Sequence, residues 1–269
     1  MYHILVTLDS NYIPPLKVML YSLFANNPGK KFAIHLIYAH ITNEEIKDLK
    51  KYTDFFGQSL NAVYIGEEVF SDALTTMHYT KAMYYRLLAH CFLPSDIEKI
   101  LYLDPDILAI NPLDELYNTD LTGYLFGACA HNTPIVDYIN KIRLQSTESE
   151  HYFNSGVLLI NLKQGRLEIK KEAIFNYVAE NEALLILPDQ DVLNGLYGNR
   201  ILALDDSLYN YDVRKSSSYA LISGGAKKTD WVVKNTVFLH FCGKQKPWRS
   251  KYTNKFGLLY KHYQRLAGL

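Results

Sequence analysis

An apolar run at residues 4–8 gives way at once to polar Asp9-Ser10-Asn11-Tyr12. A short, continuous apolar run with polar ends is the pattern of a strand buried on both faces. Pro14 and Pro15 then fall in the first turn of a helix whose apolar positions are Leu16, Met19, Leu20 and Leu23. Residues 32–38 repeat the strand pattern, and Thr42-Asn43-Glu44-Glu45 opens a second helix in the manner of a capping box. Strands are expected at 60–65 and 100–103, with a helix at 80–92 between them. Strands alternating with helices imply an α/β fold with a doubly wound, mainly parallel sheet.

After residue 104 the rhythm is mixed. Strands are expected at 124–130, 156–161 and 236–241, and helices at 167–182 and 191–197. Segments 145–151 and 216–228 are polar and weakly patterned, so they are expected to be mobile loops. There is no internal repeat and no linker composition. Residues 1–248 therefore read as one domain, and 249–269 as a tail.

Composition changes this picture in a few places. The chain has 269 residues, 48% of them hydrophobic, enough for a sizeable core. Its formal net charge of +0 argues against general nucleic-acid binding. Cys91, Cys129 and Cys242 are odd in number and fit no metal spacing, so free thiols in a reducing compartment are expected. Met1-Tyr2-His3 lacks the basic start of a signal peptide, and no run approaches the roughly 18 apolar residues of a membrane span. A soluble, cytoplasmic protein is expected.

Neutrality hides an asymmetry. After Asp230 there is no Asp or Glu, while Lys234, Lys244, Lys246, Arg249, Lys251, Lys255, Lys261 and Arg265 accumulate. In the tail these alternate with Tyr252, Phe256, Tyr260 and Tyr263. Such an end packs its rings on the body of the domain, or attaches to an anionic membrane surface. Gly257 is expected to interrupt any continuous helix there.

The most chemically informative stretch is Leu101-Tyr102-Leu103-Asp104-Pro105-Asp106. Two carboxylates stand one residue apart at a strand end, where an open α/β sheet binds its ligand. Such a pair can hold Mn²⁺ or Mg²⁺ against a phosphate; it is equally ordinary turn chemistry. Thr7, Leu8, Asp9, Asn11 and Tyr12 end the first strand, where a nucleotide docks or a helix is capped. There is no Gly-x-Gly-x-x-Gly, which disfavours a dinucleotide. Arg86 can reach a diphosphate or a sugar hydroxyl, and Asn154 stands beside Gly156 at a strand entrance. Asp189 and Gln190 follow Pro188. His240 closes an apolar strand as a possible nitrogen ligand, Gly243 permits close backbone approach, and Lys246 can neutralise a phosphate.

In order and spacing these segments resemble the retaining glycosyltransferases of family eight, which include bacterial lipopolysaccharide galactosyltransferases and glycogenin. The matching elements are Thr7 to Tyr12, Arg86, Leu101 to Asp106, Phe153-Asn154-Ser155-Gly156 through Asn161, Asp189-Gln190-Asp191 through Asn194, and His240 through Trp248. The resemblance implies a glycosyltransferase-A fold, Rossmann-like, with a small mixed extension. It implies a UDP-galactose or UDP-glucose donor, Mn²⁺ (or Mg²⁺) as the cation, and a glycan, glycolipid or glycoprotein acceptor. By the same resemblance Asp104, Asp106 and His240 are the metal ligands. Thr7, Leu8, Asp9, Asn11 and Tyr12 belong to the uridine side, and Gly243 and Lys246 grip the diphosphate. Arg86, Asn154, Asp189 and Gln190 contact the donor sugar, with Gln190 nearest the reacting carbon. One departure is His131, which stands where lipopolysaccharide galactosyltransferases carry an Asp near the acceptor. Acceptor identity is therefore not carried over. Two other readings fit the same donor site: a metal-dependent UDP-sugar hydrolase, and a nucleotide-sugar-binding module without turnover.

Overall fold

The computed structural model describes residues 1–66, 84–131, 134–144 and 151–269. In chain order its elements begin with β1 (Tyr2–Thr7), α1 (Ile13–Ala25), β2 (Phe32–Tyr38), α2 (Asn43–Phe55), β3 (Ser59–Tyr64) and α3 (Ala89–Phe92). Next come β4 (Lys99–Leu103), β5 (Ile107–Ala109), α4 (Asp114–Tyr117), β6 (Phe126–Ala130), α5 (Pro134–Arg143), β7 (Phe153–Asn161), α6 (Leu162–Glu168) and α7 (Lys171–Asn181). The chain continues through α8 (Pro188–Tyr197), β8 (Ile201–Leu204), α9 (Asp206–Tyr209), β9 (Tyr211–Asp212), α10 (Ser216–Ile222), α11 (Thr229–Asn235), β10 (Phe238–His240) and α12 (Gly257–Leu266).

Seven strands form one sheet in the order β3-β2-β1-β4-β7-β6-β8. β7 runs antiparallel to both β4 and β6; the other pairings in this sheet are parallel. Ile4, Leu5 and Val6 are each 0% exposed, which explains their unbroken apolar run: helices cover both faces of the strand. Thr42 accepts from the Glu45 N–H while the Glu45 carboxylate accepts from the Thr42 N–H, so the capping box is present. A smaller sheet, β5-β10-β9, is mixed: β10 is antiparallel to β5 and parallel to β9. This is the expected mixed extension.

The order of the large sheet positions the site. The chain leaves β1 toward β2 and β3, then crosses back to β4 on the other side of β1. The crevice at the carboxyl ends of β1 and β4 is thus the point where strand order reverses, and that is where such sheets bind ligands.

Several expectations need correction. The helix expected at 167–182 is broken, because buried Ile169 is extended and α7 starts only at Lys171. Segment 216–228 is not a loop throughout: α10 occupies its first half, held by a stack of Tyr219 on Tyr211 at 4.3 Å and a 2.6 Å bond from Tyr219 to Asp206. The helix expected at 80–92 is, where described, a turn followed by short α3; residues 80–83 lie outside the described part. Of the segment 145–151, residues 145–150 also lie outside it. Gly257 is the first residue of α12, not a break within a helix, and a Cβ there would lie 2.6 Å from the Tyr252 ring, so the close approach requires glycine. Phe256 and Tyr260 are buried in a cluster with Leu108, Leu239 and Phe241, so the tail's rings pack on the body.

One buried pair carries a stability prediction. His3 Nδ1 and His35 Nε2 are 3.0 Å apart, a distance that needs one donor and one acceptor. Burial, reinforced by His3, lowers the His35 pKa to about 4. The unfolded chain takes up this proton near pH 6.5 and the folded chain only near 4, so stability is lost as pH falls through that window. His35→Leu is expected to make the melting temperature less sensitive to pH between 7 and 4. An unchanged slope in a thermal-melt series would remove His35 from the acid response.

Candidate active site

Local backbone connections assemble the site from segments far apart in sequence. Asp104 and Asp106 leave the carboxyl end of β4. Because β7 runs the opposite way, its first residues, Asn154 to Gly156, arrive at the same edge, and the Asp104 N–H donates to the Gly156 carbonyl at 2.8 Å. β10 pairs with β5, and the Phe241 N–H donates to the Asp106 carbonyl at 3.1 Å, which delivers His240. Asp189 and Gln190 sit in the first turn of α8, pinned to β7 through Asn194, which bonds the Phe153 N–H at 2.6 Å and its carbonyl at 2.8 Å.

Ligand atoms of Asp104, Asp106 and His240 all lie within 4.8 Å of one another. His240 Nε2 is 3.4 Å from Asp106 Oδ1 and 3.7 Å from Asp104 Oδ2. Two hard carboxylates and an imidazole are a donor set that suits Mn²⁺ or Mg²⁺. A Cβ on Gly156 would lie 2.4 Å from the His240 ring and 2.8 Å from Asp104 Oδ2, so only glycine leaves these ligands their places. The residues present fit a divalent cation.

Charge around the cluster is organised. Arg86 Nη1 stands 3.1 Å from Asp104 Oδ1 and 3.2 Å from Asp189 Oδ2, and its guanidinium lies over the Tyr102 ring at 4.3 Å. Tyr102 donates to Asp104 at 2.6 Å and meets Thr7 Oγ1 at 3.3 Å, tying the β1 end to the loop that follows β4. Lys246 donates to the Asp106 carboxylate and, at 3.1 Å, to the Phe241 carbonyl. Burial pushes the Asp106 pKa up, but His240 and Lys246 outweigh it and hold the carboxyl below the usual range. Burial raises the Asp189 pKa against the pull of Arg86 and a 2.8 Å bond from Ser155 Oγ.

Most of the expected site residues converge, and some stand at the rim. Asn154 Nδ2 donates to Gln190 Oε1 at 3.0 Å. Tyr12 meets Trp248 edge to face at 5.9 Å, so the β1 loop adjoins the segment carrying Lys246. Exposed Asp9 caps the turn by accepting from the Asn11 N–H at 2.8 Å, and Leu8 packs against the core under α1. Gly243 has φ +89°, and a Cβ there would lie 2.7 Å from Arg214 Nη1.

A cavity of about 270 Å³ adjoins Asn154 and Gln190, and His131, Tyr152, Arg143 and Lys215 stand on its wall. His131 and Asp212 of that wall also gather with Cys242, a grouping that their sequence spacing hides. Asp212 is already held by Arg214 through both oxygens, at 2.9 and 2.7 Å, so this group is an ion pair with neighbours. Sequence reasoning missed Asn210, fully buried against His240 and Asn154. No periodicity or motif marks it; only the pairing of β9 with β10 brings it there.

Residues 3–252 match the family model described as glycosyl transferase family 8. The chain is 27% identical to General stress protein A of Bacillus subtilis over 270 residues, covering 97% of this chain and 92% of that protein. It is also 27% identical to a lipopolysaccharide 1,2-glucosyltransferase of Escherichia coli over 251 residues, 90% of this chain and 71% of that one. The structure superposes on galactosyltransferase LgtC, solved with donor and acceptor sugar analogues, with a TM-score of 0.81 and 25% identity, covering 98% of this chain and 95% of that chain. The protein belongs to glycosyl transferase family 8 and is a glycosyltransferase of the GT-A fold.

Proposed function

We propose that the protein moves a hexose, galactose or glucose, from a UDP-sugar to a hydroxyl of a saccharide, lipid-linked or protein-linked acceptor, with retention of configuration. The observation that carries this reading is the Asp104, Asp106 and His240 cluster at the switch point, with Gln190 and a cavity beside it. A bound Mn²⁺ supplies positive charge against the diphosphate as it becomes the leaving group. Asp104, Asp106 and His240 hold the cation; Asp9, Asn11 and Tyr12 receive the uridine; Gly243 and Lys246 face the diphosphate. Arg86, Asn154, Asp189 and Gln190 orient the sugar.

Retention needs either a double displacement or attack on the face the leaving group departs from. Asp189 is the carboxylate beside the sugar, but its Oδ2 is engaged by both Arg86 and Ser155. Gln190 is an amide and a poor nucleophile. These two facts favour front-face attack, in which the departing phosphate oxygen takes the acceptor's proton. The cavity gives the acceptor room, which favours transfer over hydrolysis. Incubation of the full chain with UDP-glucose or UDP-galactose, Mn²⁺ and a mixed acceptor panel, read by mass spectrometry, tests the reading. A glycoside product supports it. Free hexose alone makes the protein a hydrolase, and binding without turnover a sugar-nucleotide module.

The tail extends the proposal. No described helix is long and apolar enough to cross a membrane. On the outer side of α12, Leu258, Lys261 and Arg265 are exposed, and Lys251 is exposed just before it. This side suits peripheral contact with the anionic inner face of a membrane. Cutting after Arg249 would uncover the core beneath Phe256 and Tyr260, so charge reversal is the better probe. The full chain is expected to sediment with phosphatidylglycerol vesicles at low salt, and the Lys251→Glu, Lys261→Glu, Arg265→Glu variant to stay in solution. No sedimentation of the full chain removes the membrane from the account.

A further inference from the structure

We propose that Asn210 is a positioning residue: it fixes which nitrogen of His240 faces Asp104 and Asp106, as one link in a chain of side-chain amides that ends at Gln190. The metal-binding consequence rests on the reading above; the polarity of the chain does not.

The polarity is imposed by a group that can only donate. The backbone N–H of Gly156 meets the Asn154 amide at 2.9 Å, so the atom it meets is the oxygen, Oδ1. The other end of Asn154 is then its NH₂, which lies 3.0 Å from the Gln190 amide, so that atom of Gln190 is the acceptor Oε1. A second obligate donor agrees, since the Ser155 N–H points to the same Gln190 oxygen at 3.4 Å. In the other direction Asn154 Oδ1 lies 2.9 Å from the Asn210 amide, so Asn210 presents its NH₂ there. Its oxygen is left on the far side, 2.8 Å from His240 Nδ1. An oxygen opposite Nδ1 requires a proton on Nδ1. The nitrogen turned toward Asp104 and Asp106 is Nε2, and in the neutral ring it is the one with the free lone pair.

Asn210 is placed rigidly enough to act this way. It is 0% exposed, and its backbone carbonyl accepts from His131 Nε2. A wrong tautomer would leave two acceptors facing each other in a buried site. The same polarity reaches the reaction centre. Gln190 Oε1 is filled by Asn154 and Ser155, so its NH₂ is the end turned away from them, on the side of Tyr152. A single backbone N–H thus sets the orientation of a metal ligand at one end and of Gln190 at the other.

Two experiments on the full chain test this. The first is long-range proton–nitrogen NMR of protein labelled with ¹⁵N-histidine, with His240 assigned through His240→Gln. Nδ1 of His240 is expected to be protonated, with or without added Mg²⁺. A ring with Nδ1 bare would overturn the proposal, whatever the protein's activity. The second is Mn²⁺ titration by electron paramagnetic resonance. Asn210→Asp keeps an acceptor against Nδ1–H and is expected to hold Mn²⁺ within a few-fold of the unaltered chain. Its lost donor to Asn154 is expected to lower kcat instead. Asn210→Leu removes both groups and is expected to weaken Mn²⁺ binding by about tenfold or more. Equal Mn²⁺ affinity in a folded Asn210→Leu variant, or the same loss in both variants, would overturn it. If the unaltered chain binds no Mn²⁺, the functional reading fails, and the NMR result still decides the polarity.

Discussion

Asp106→Asn is expected to lower hexosyl transfer by about 10³-fold, the equivalent of ~4 kcal/mol of transition-state stabilisation, and to abolish Mn²⁺ binding. Asp106 is the most enclosed carboxylate of the cluster, 5% exposed, and both His240 and Lys246 bear on it. Asparagine keeps an acceptor for Lys246 but removes the charge that a cation needs. Alanine is the poorer test. It would remove the oxygen that accepts from Lys246 along with the charge, and a hydrogen bond to a charged group is worth about 1.5–3 kcal/mol. The check is a pair of initial-rate and Mn²⁺-binding measurements on a variant whose melting temperature matches the unaltered chain. A rate within tenfold of the original would remove Asp106 from the metal site.

Gln190→Ala is expected to reduce kcat by about 10²- to 10³-fold while UDP affinity stays within about threefold. The structure motivates the split. Gln190 is 8% exposed in the first turn of α8, and its hydrogen bonds run to Asn154 and Ser155 on β7. The β1 loop of Asp9, Asn11 and Tyr12 belongs to a different part of the crevice, beside Trp248. An interaction realised mainly in the transition state lowers turnover without weakening the ground state. Calorimetric titration with UDP and Mn²⁺ separates the cases. Loss of UDP binding in this variant would place Gln190 in the nucleotide grip instead.

The sequence reveals those parts of the protein whose pattern is local. The buried strands of the parallel half are runs of apolar residues with no alternation, and β2 falls at the expected 32–38. Asp104 and Asp106 stand out because they break such a run at its end. Parts that depend on distant partners are not legible in this way. The three residues of β5 look like the rest of a loop until β10 pairs with them. α10 has little helical signature of its own and rests on Tyr211 and Asp206. The break at Ile169 reflects a burial requirement that helix propensity overrode in the sequence reading. Asn210 shows the same limit in the site. Its role is defined by which atoms of Gly156, Asn154 and His240 surround it, and those neighbours are 30 to 56 positions away along the chain.

The family also leaves room for this chain to differ. His131 stands at the cavity wall, its ring nitrogen bonded to the Asn210 carbonyl. Its one N–H is spent on that carbonyl, so the neutral ring has only the lone pair of its other nitrogen left for a neighbour.

The most direct test of the account is the rate of hexose transfer from UDP-glucose or UDP-galactose by the full chain, measured in excess EDTA and again after Mn²⁺ is restored. Glycoside formation is expected to stop in EDTA and to return with Mn²⁺. Transfer at full rate in excess EDTA would contradict it.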